Sequence, residues 1–277
     1  MRTCSVGRTV RITRPYDHGR GWWLGGRFTP VIFASGPAGG EDAGVTGAPQ
    51  AQPGDVRWSL VVPVQDASRA KSRLEPPRPL TRPDLARAVA RDTLEQVCRA
   101  LPPGQVTVVT SDPAASRVAL DLGARVVSDP GRGLNAAIRA GLTAARAAAE
   151  ASAPIQLPVG WAVLLGDLPA LKAHELVVAL AACATHAAAV VPDADGTGTV
   201  LLTSTTKPPE PQFGPGSAAR HQQLAARLEL DLLGLRRDVD TATDLASALE
   251  LGVGRHTARA LAPLGWASGP DQPSCPH

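Results

Sequence analysis

Short apolar runs recur along the chain at spacings that leave room for one helix between each pair: "WSLVVPV" from Trp58, "VTVVTSD" from Val106, "ARVVSD" from Ala124, "GWAVLLGDLP" from Gly160 and "AAAVVPDADG" from Ala187. Polar residues scarcely interrupt them, so these strands have apolar neighbours on both faces, as in a parallel sheet wrapped by helices. The segments between them, "RPDLARAVARDTLEQVCRAL", "PAASRVALDLG", "GLNAAIRAGLTAARAAAEA" and "KAHELVVALAACA", carry apolar residues at helical spacing. This alternation implies an α/β sandwich with a mostly parallel central sheet. "TVLLTS", the helical "SAARHQQLAARLEL", "LLGLRRDVD" and a closing helix "TATDLASALELG" follow.

The pattern starts near residue 56 and ends near 254. Residues 1–55, with "GRGWWLGGRFTPVIFASGPAGGEDAGVTGAPQAQPGD", hold too little periodic apolar surface to offset ordering entropy, and are expected to be a disordered Gly/Pro-rich extension. Met1 is the only methionine, so a start near Val56 would need a non-ATG codon. Residues 255–277 are expected to form a C-terminal tail.

Composition excludes several classes. A hydrophobic share of 44% over 277 residues supports a full core, and a net charge of +3 with dispersed basic residues gives no nucleic-acid surface. Cys4, Cys98, Cys183 and Cys275 have no CxxC spacing, which favours reduced thiols in a cytoplasm over zinc or disulfides. No apolar run approaches the ~20 residues a membrane span requires, and the first residues lack the apolar stretch of a secretion signal.

In open α/β sheets ligands bind outside the carboxyl ends of the strands, so the residues following each run are the informative ones. Arg69, Lys71 and Arg73 follow the first run; a solvated basic loop is the bland reading, but their position suits a triphosphate. Asp167 follows "AVLLG"; Asp193 and Asp195 precede "GTGT"; Asp238, Asp240 and Asp244 lie in "DVDTATD". Each is compatible with a turn or helix cap alone. Together Asp167 and Asp240 suit Mg²⁺ against phosphate oxygens, with Asp238 structural. In "DADGTGTV" the backbone N–H groups and the hydroxyls of Thr197 and Thr199 suit an anion. In "FGPGSAARH" Gly214 and Gly216 allow close backbone approach and Ser217 opens a helix, while His221 is expected on the helix surface.

In this order, "PVQDASRAKSRL", "ARDTLEQV", "LLGDLPAL", "PDADGTGT", "FGPGSAARH" and "DVDTATDL" resemble the 2-phospho-L-lactate and phosphoenolpyruvate guanylyltransferases over about residues 57 to 252. The resemblance implies a three-layer, Rossmann-like nucleotidyltransferase sandwich and a role in making a deazaflavin coenzyme. It implies GTP and a small phospho-acid as substrates, Mg²⁺ as cofactor, and a downstream deazaflavin transferase as consumer of the product. On matching positions, Thr199, Gly214 and Ser217 would hold the phospho-acid, Asp167 and Asp240 the metal, and Lys71, with Arg73 second, the GTP phosphates. Asn135 of "GRGLNAAI" is a candidate for guanine recognition. Relatives commonly carry Lys where this chain has Gln65, and Asn where it has Val200. The Ala/Arg/Gly/Pro-heavy composition suggests a GC-rich genome such as an actinobacterial one, where the resemblance implies by association phosphoenolpyruvate as acceptor, ahead of 2-phospho-L-lactate or 3-phosphoglycerate.

Two rival classes remain at this stage: a related transferase acting on molybdopterin or a sugar phosphate, whose GGxGTR-type loop is missing, and a non-catalytic nucleotide-binding protein. A homodimer is the default expectation for a soluble enzyme.

Overall fold

Alternate residues of the first strand, β1 (Arg57–Pro63), face opposite sides of a sheet: Leu60 and Val62 enter one apolar cluster and Val61 another, all three fully buried. The computed structural model describes residues 56–69, 74, 76, 79–151 and 159–264. In it β1 is flanked by β2 (Val106–Thr110) and β4 (Val159–Leu164), both parallel to it, and β3 (Arg125–Ser128) lies parallel beyond β2. β6 (Thr199–Ser204) enters antiparallel between β4 and β5 (Ala188–Pro192), and β7 (Ala226–Arg227) edges the sheet parallel to β5. The order is β3-β2-β1-β4-β6-β5-β7.

Helices cover both faces. α1 (Arg82–Ala100), α2 (Pro113–Asp121) and α4 (Ala173–Cys183) pack on the face of Leu60 and Val62; α3 (Leu134–Ala151) packs on the face of Val61 and Val109. Thr81 starts α1 by accepting the Asp84 N–H, and Asp112 starts α2 by accepting the N–H groups of Ala114 and Ala115. The Asp-Pro pair at 112–113 is the corresponding start signal in the sequence.

Two expectations need correction. The helix expected through "SAARHQQLAARLEL" is a single short turn, α5 (Ser217–His221), followed by β7. Leu228, Leu230 and Leu232 are buried while Leu224 is 79% exposed, an alternation that a helix does not give. "LLGLRR" is a one-turn helix, α6 (Leu233–Arg236), before α7 (Ala242–Leu251). The tail expected from residue 255 opens as α8 (Arg255–Leu261), whose Leu261 is fully buried against α1 and α7. Asp92 of α1 holds α8 in place: its carboxylate accepts the N–H of His256 at 3.0 Å and of Thr257 at 2.7 Å.

Candidate active site

The strand ends expected to carry the chemistry do share one edge. Because β6 runs against its neighbours, its first residue, Thr199, lies where β4 and β5 end. The loop after β1 is tied across the same edge: Val64 N–H donates to the Val109 carbonyl at 2.9 Å and Ala67 N–H to Asp112 Oδ2 at 3.3 Å. Asp112, 1% exposed, also accepts from Arg87 Nε at 3.2 Å. Burial alone would raise its pKa, but the bonds from Ala115 N–H, Arg87 and Ala67 N–H outweigh it and hold the carboxyl below its usual range. Arg69 is exposed on this loop; Lys71 and Arg73 lie outside the described residues.

Gly166 brings the β4 end against the β1 end, since a Cβ there would stand 2.7 Å from the Pro63 carbonyl oxygen. Asp167 follows directly. The next residue, Leu168, donates its N–H to Thr93 Oγ1 at 3.0 Å, so α1 fixes the loop's far side. The segment with Asp238 and Asp240 docks here, as Val239 N–H donates to the Asp167 carbonyl at 3.2 Å. Asp238, expected to be only structural, is the most perturbed carboxyl described: burial, then the charges of Asp167, Asp240 and Asp193, push it up to about 7. Asp238 thus lies within electrostatic reach of three other carboxylates at this edge. Among the described residues no three His, Cys, Asp or Glu side chains group as a metal cage.

"DADGTGT" is held from within. The Asp193 carboxylate accepts Thr197 N–H at 2.9 Å and Gly198 N–H at 2.7 Å, so those two donors, expected to face an anion, are engaged. A Cβ on Gly198 would overlap that carboxylate. Arg236 locks the loop to the acidic segment, donating to the carbonyls of Pro192 at 3.0 Å and Asp193 at 2.8 Å. The Ala194 N–H donates in return to the Arg236 carbonyl at 2.8 Å.

"FGPGS" joins the same wall. Ala218 N–H donates to the Thr197 carbonyl at 3.1 Å and Ser217 N–H to the Gly214 carbonyl at 3.0 Å. The left-handed φ values of Gly214 (123°) and Gly216 (69°) make the bend that a side chain would strain. Ser217 is 1% and Thr199 2% exposed. Arg220 gathers the carbonyls of Gln212 and Pro215 at 2.9 and 2.7 Å.

Asn135, the candidate for guanine recognition, has its carboxamide engaged within the protein: it donates to the Phe213 carbonyl at 3.1 Å and accepts the Phe213 N–H at 2.8 Å, which clamps the "FGPGS" loop. One expectation here is overturned. His221, expected on the helix surface, is 4% exposed, with one nitrogen at Thr199 Oγ1 and the other on Gln212 N–H. Its partners are distant in sequence, so helical spacing left no sign of them. Asp112 carried a signal, the Asp-Pro cap, that reads only as a helix start. The roles of Asp193, Arg236 and Thr93 depend on contacts across the fold.

Residues 80–234 match the MobA-like NTP transferase domain, and this makes the protein a nucleotidyltransferase enzyme. A phosphoenolpyruvate guanylyltransferase of Streptomyces scabiei is 45% identical over 219 residues, covering 76% of this chain and 98% of that protein. Those of Thermomonospora curvata (46% identical; 74% and 88% covered) and Streptomyces coelicolor (46%; 76% and 98%) are similar. This chain belongs to the phosphoenolpyruvate guanylyltransferase family.

Proposed function

We propose that this enzyme transfers GMP from GTP to the phosphate of phosphoenolpyruvate, giving enolpyruvyl-diphospho-guanosine and pyrophosphate, in the synthesis of a deazaflavin coenzyme. The observation that carries the reading is the identity of 45% across 98% of a relative named for that reaction. The geometry supports it. One strand-end edge holds the loop with Arg69, a group of carboxylates and a wall of small polar residues, which a nucleoside triphosphate, a cation and a three-carbon phospho-acid would need.

Thr199, Gly214 and Ser217 hold the acceptor beside the crevice, while Lys71 and Arg73 neutralise the GTP phosphates. An acceptor phosphate oxygen attacks the α-phosphorus in line, the bond to the β-phosphate bridging oxygen breaks, and that oxygen leaves on pyrophosphate. The acceptor is already ionised at neutral pH, so positioning and charge neutralisation suffice, without a protein nucleophile. The crowded carboxylates fit a hard divalent cation, which takes one or two carboxylates and completes its shell from phosphates and water. Asp167 and Asp240 would hold Mg²⁺, which when bound supplies charge stabilisation to the triphosphate.

The test offers GTP and Mg²⁺ with phosphoenolpyruvate, 2-phospho-L-lactate, 3-phosphoglycerate or a sugar phosphate and follows pyrophosphate, with the deazaflavin transferase added to trap a labile product. Fastest release is expected with phosphoenolpyruvate; preference for another acceptor reassigns the substrate, and no release with any of them removes the activity. Chelation with EDTA stops turnover and added Mg²⁺ restores it. Asp167→Ala should abolish turnover with the circular-dichroism spectrum unchanged, and persistent turnover would refute the metal assignment.

A further inference from the structure

Both ring nitrogens of His221 are bonded, and the bonds fix where its proton lies. Gln212 N–H reaches Nε2 at 2.9 Å, and since an N–H only donates, Nε2 presents a lone pair. In the neutral ring the proton therefore sits on Nδ1, 2.9 Å from Thr199 Oγ1, so the ring donates and the threonine oxygen accepts. Burial, then the nearby Arg220 charge, lower the pKa to about 4, which keeps the ring neutral at working pH.

A threonine hydroxyl has one proton and two lone pairs. With His221 filling one lone pair, the Thr199 proton takes no part in that bond and is left for another acceptor. The arrangement resists a ring flip. Phe213 stands edge-on to the imidazole, with centroids 5.0 Å apart, and Asn135 grips the Phe213 backbone from α3.

We propose that His221 is a positioning residue for the acceptor: its Nδ1–H fixes the Thr199 hydroxyl as a donor toward an oxygen of the bound phospho-acid. This rests on the reading that Thr199 touches that substrate. His221 itself acts through Thr199, so its effect vanishes once the hydroxyl is gone. Asn at this position retains an N–H that overlays Nδ1–H, whereas Phe has no donor.

The experiment compares the full chain with Thr199→Val, His221→Phe, His221→Asn and the double variant Thr199→Val/His221→Phe, varying phosphoenolpyruvate and GTP separately while pyrophosphate is followed. Thr199→Val and His221→Phe should each raise the KM for phosphoenolpyruvate roughly ten- to hundredfold, with the KM for GTP unchanged. The double variant should be no worse than Thr199→Val, and His221→Asn should recover part of the loss. ¹⁵N NMR of the unmutated protein should show protonated Nδ1 and bare Nε2 on His221, a readout independent of whether any variant folds.

Additive losses in the double variant, an equal rise in the KM for GTP, or a protonated Nε2 would overturn the positioning role and leave the acceptor reading intact. An unchanged KM in Thr199→Val overturns both the Thr199 contact and the proposal. Absence of pyrophosphate release from the unmutated protein with every acceptor overturns the activity beneath them, even where the NMR tautomer is as expected.

Discussion

His221 makes the native state answer to acid between about pH 6.5 and 4, a window it shares with Asp238, whose raised pKa acts in the opposite sense. Its pKa falls from 6.5 to about 4 on folding, burial being the main cause. Above pH 6.5 both states are neutral and the group contributes no pH slope. Between 6.5 and 4 the unfolded chain binds a proton that the native ring refuses, so stability falls as pH falls and the loss levels off below about 4 at roughly 3 kcal/mol. Asp112 and Glu95, both held below their usual range, add losses only at lower pH. Asp238 contributes a gain over the same range in both proteins, so in urea titrations at pH 7 and pH 5 the stability of the unmutated protein relative to His221→Asn should fall with pH; parallel changes would mean the ring is not held neutral. None of this was legible in "GSAARH", because the spacing of a histidine on a helix says nothing of a loop that folds over it. The clamp made by Asn135 was hidden for the same reason: its partner, Phe213, comes from 78 residues away.

At the scale of elements, α1 is the brace of the acidic crevice. Thr93 donates to Val89 O at 3.0 Å and accepts Leu168 N–H, so one hydroxyl joins the helix to the residue after Asp167. Thr93→Val leaves that buried N–H without its acceptor, at a cost of about 1–3 kcal/mol. The expected outcome is a lower urea midpoint together with a kcat loss, since Asp167 loses its anchored neighbour; full kcat in a destabilised protein would detach the brace from the chemistry. The motif "ARDTLEQV" was visible in the sequence, but its two functions were not. Asp92 and Thr93 point to α8 and to the β4 loop, contacts set by packing. Helices such as α1 and α4 were legible because their apolar spacing and tertiary faces agree, whereas past α5 the chain pairs with β5 through Ala226 and Arg227 and buries Leu228, Leu230 and Leu232 in alternation, a tertiary arrangement that overrides local helical preference. The reversal of β6 had no local sign: "TVLLTS" is equally apolar in either direction.

That reversal organises the whole molecule. The parallel half, β3-β2-β1-β4, brings the post-β1 loop, Asp112 and Asp167 to one side of the edge; β6 and β5 bring Thr199 and, through Ala218 N–H, the Ser217 loop to the other. The 236–240 segment bonds to both sides, to Asp167 through Val239 and to the Asp193 loop through Arg236. A transfer between two substrates suits such a division, with one substrate per side and the joining segment beneath the reacting phosphates. Two-substrate kinetics should then sort variants by location. Ser217→Ala is expected to raise the KM for the phospho-acid roughly tenfold and leave that for GTP alone, whereas Arg69→Ala does the opposite. Asp238→Asn, on the joining segment, should lower kcat with both KM values little moved, because it alters the charge beside Asp167 and Asp240. Ser217→Ala and Arg69→Ala shifting both constants together would show that the two sides form one undivided pocket, and the antiparallel insertion would then have no part in separating donor from acceptor.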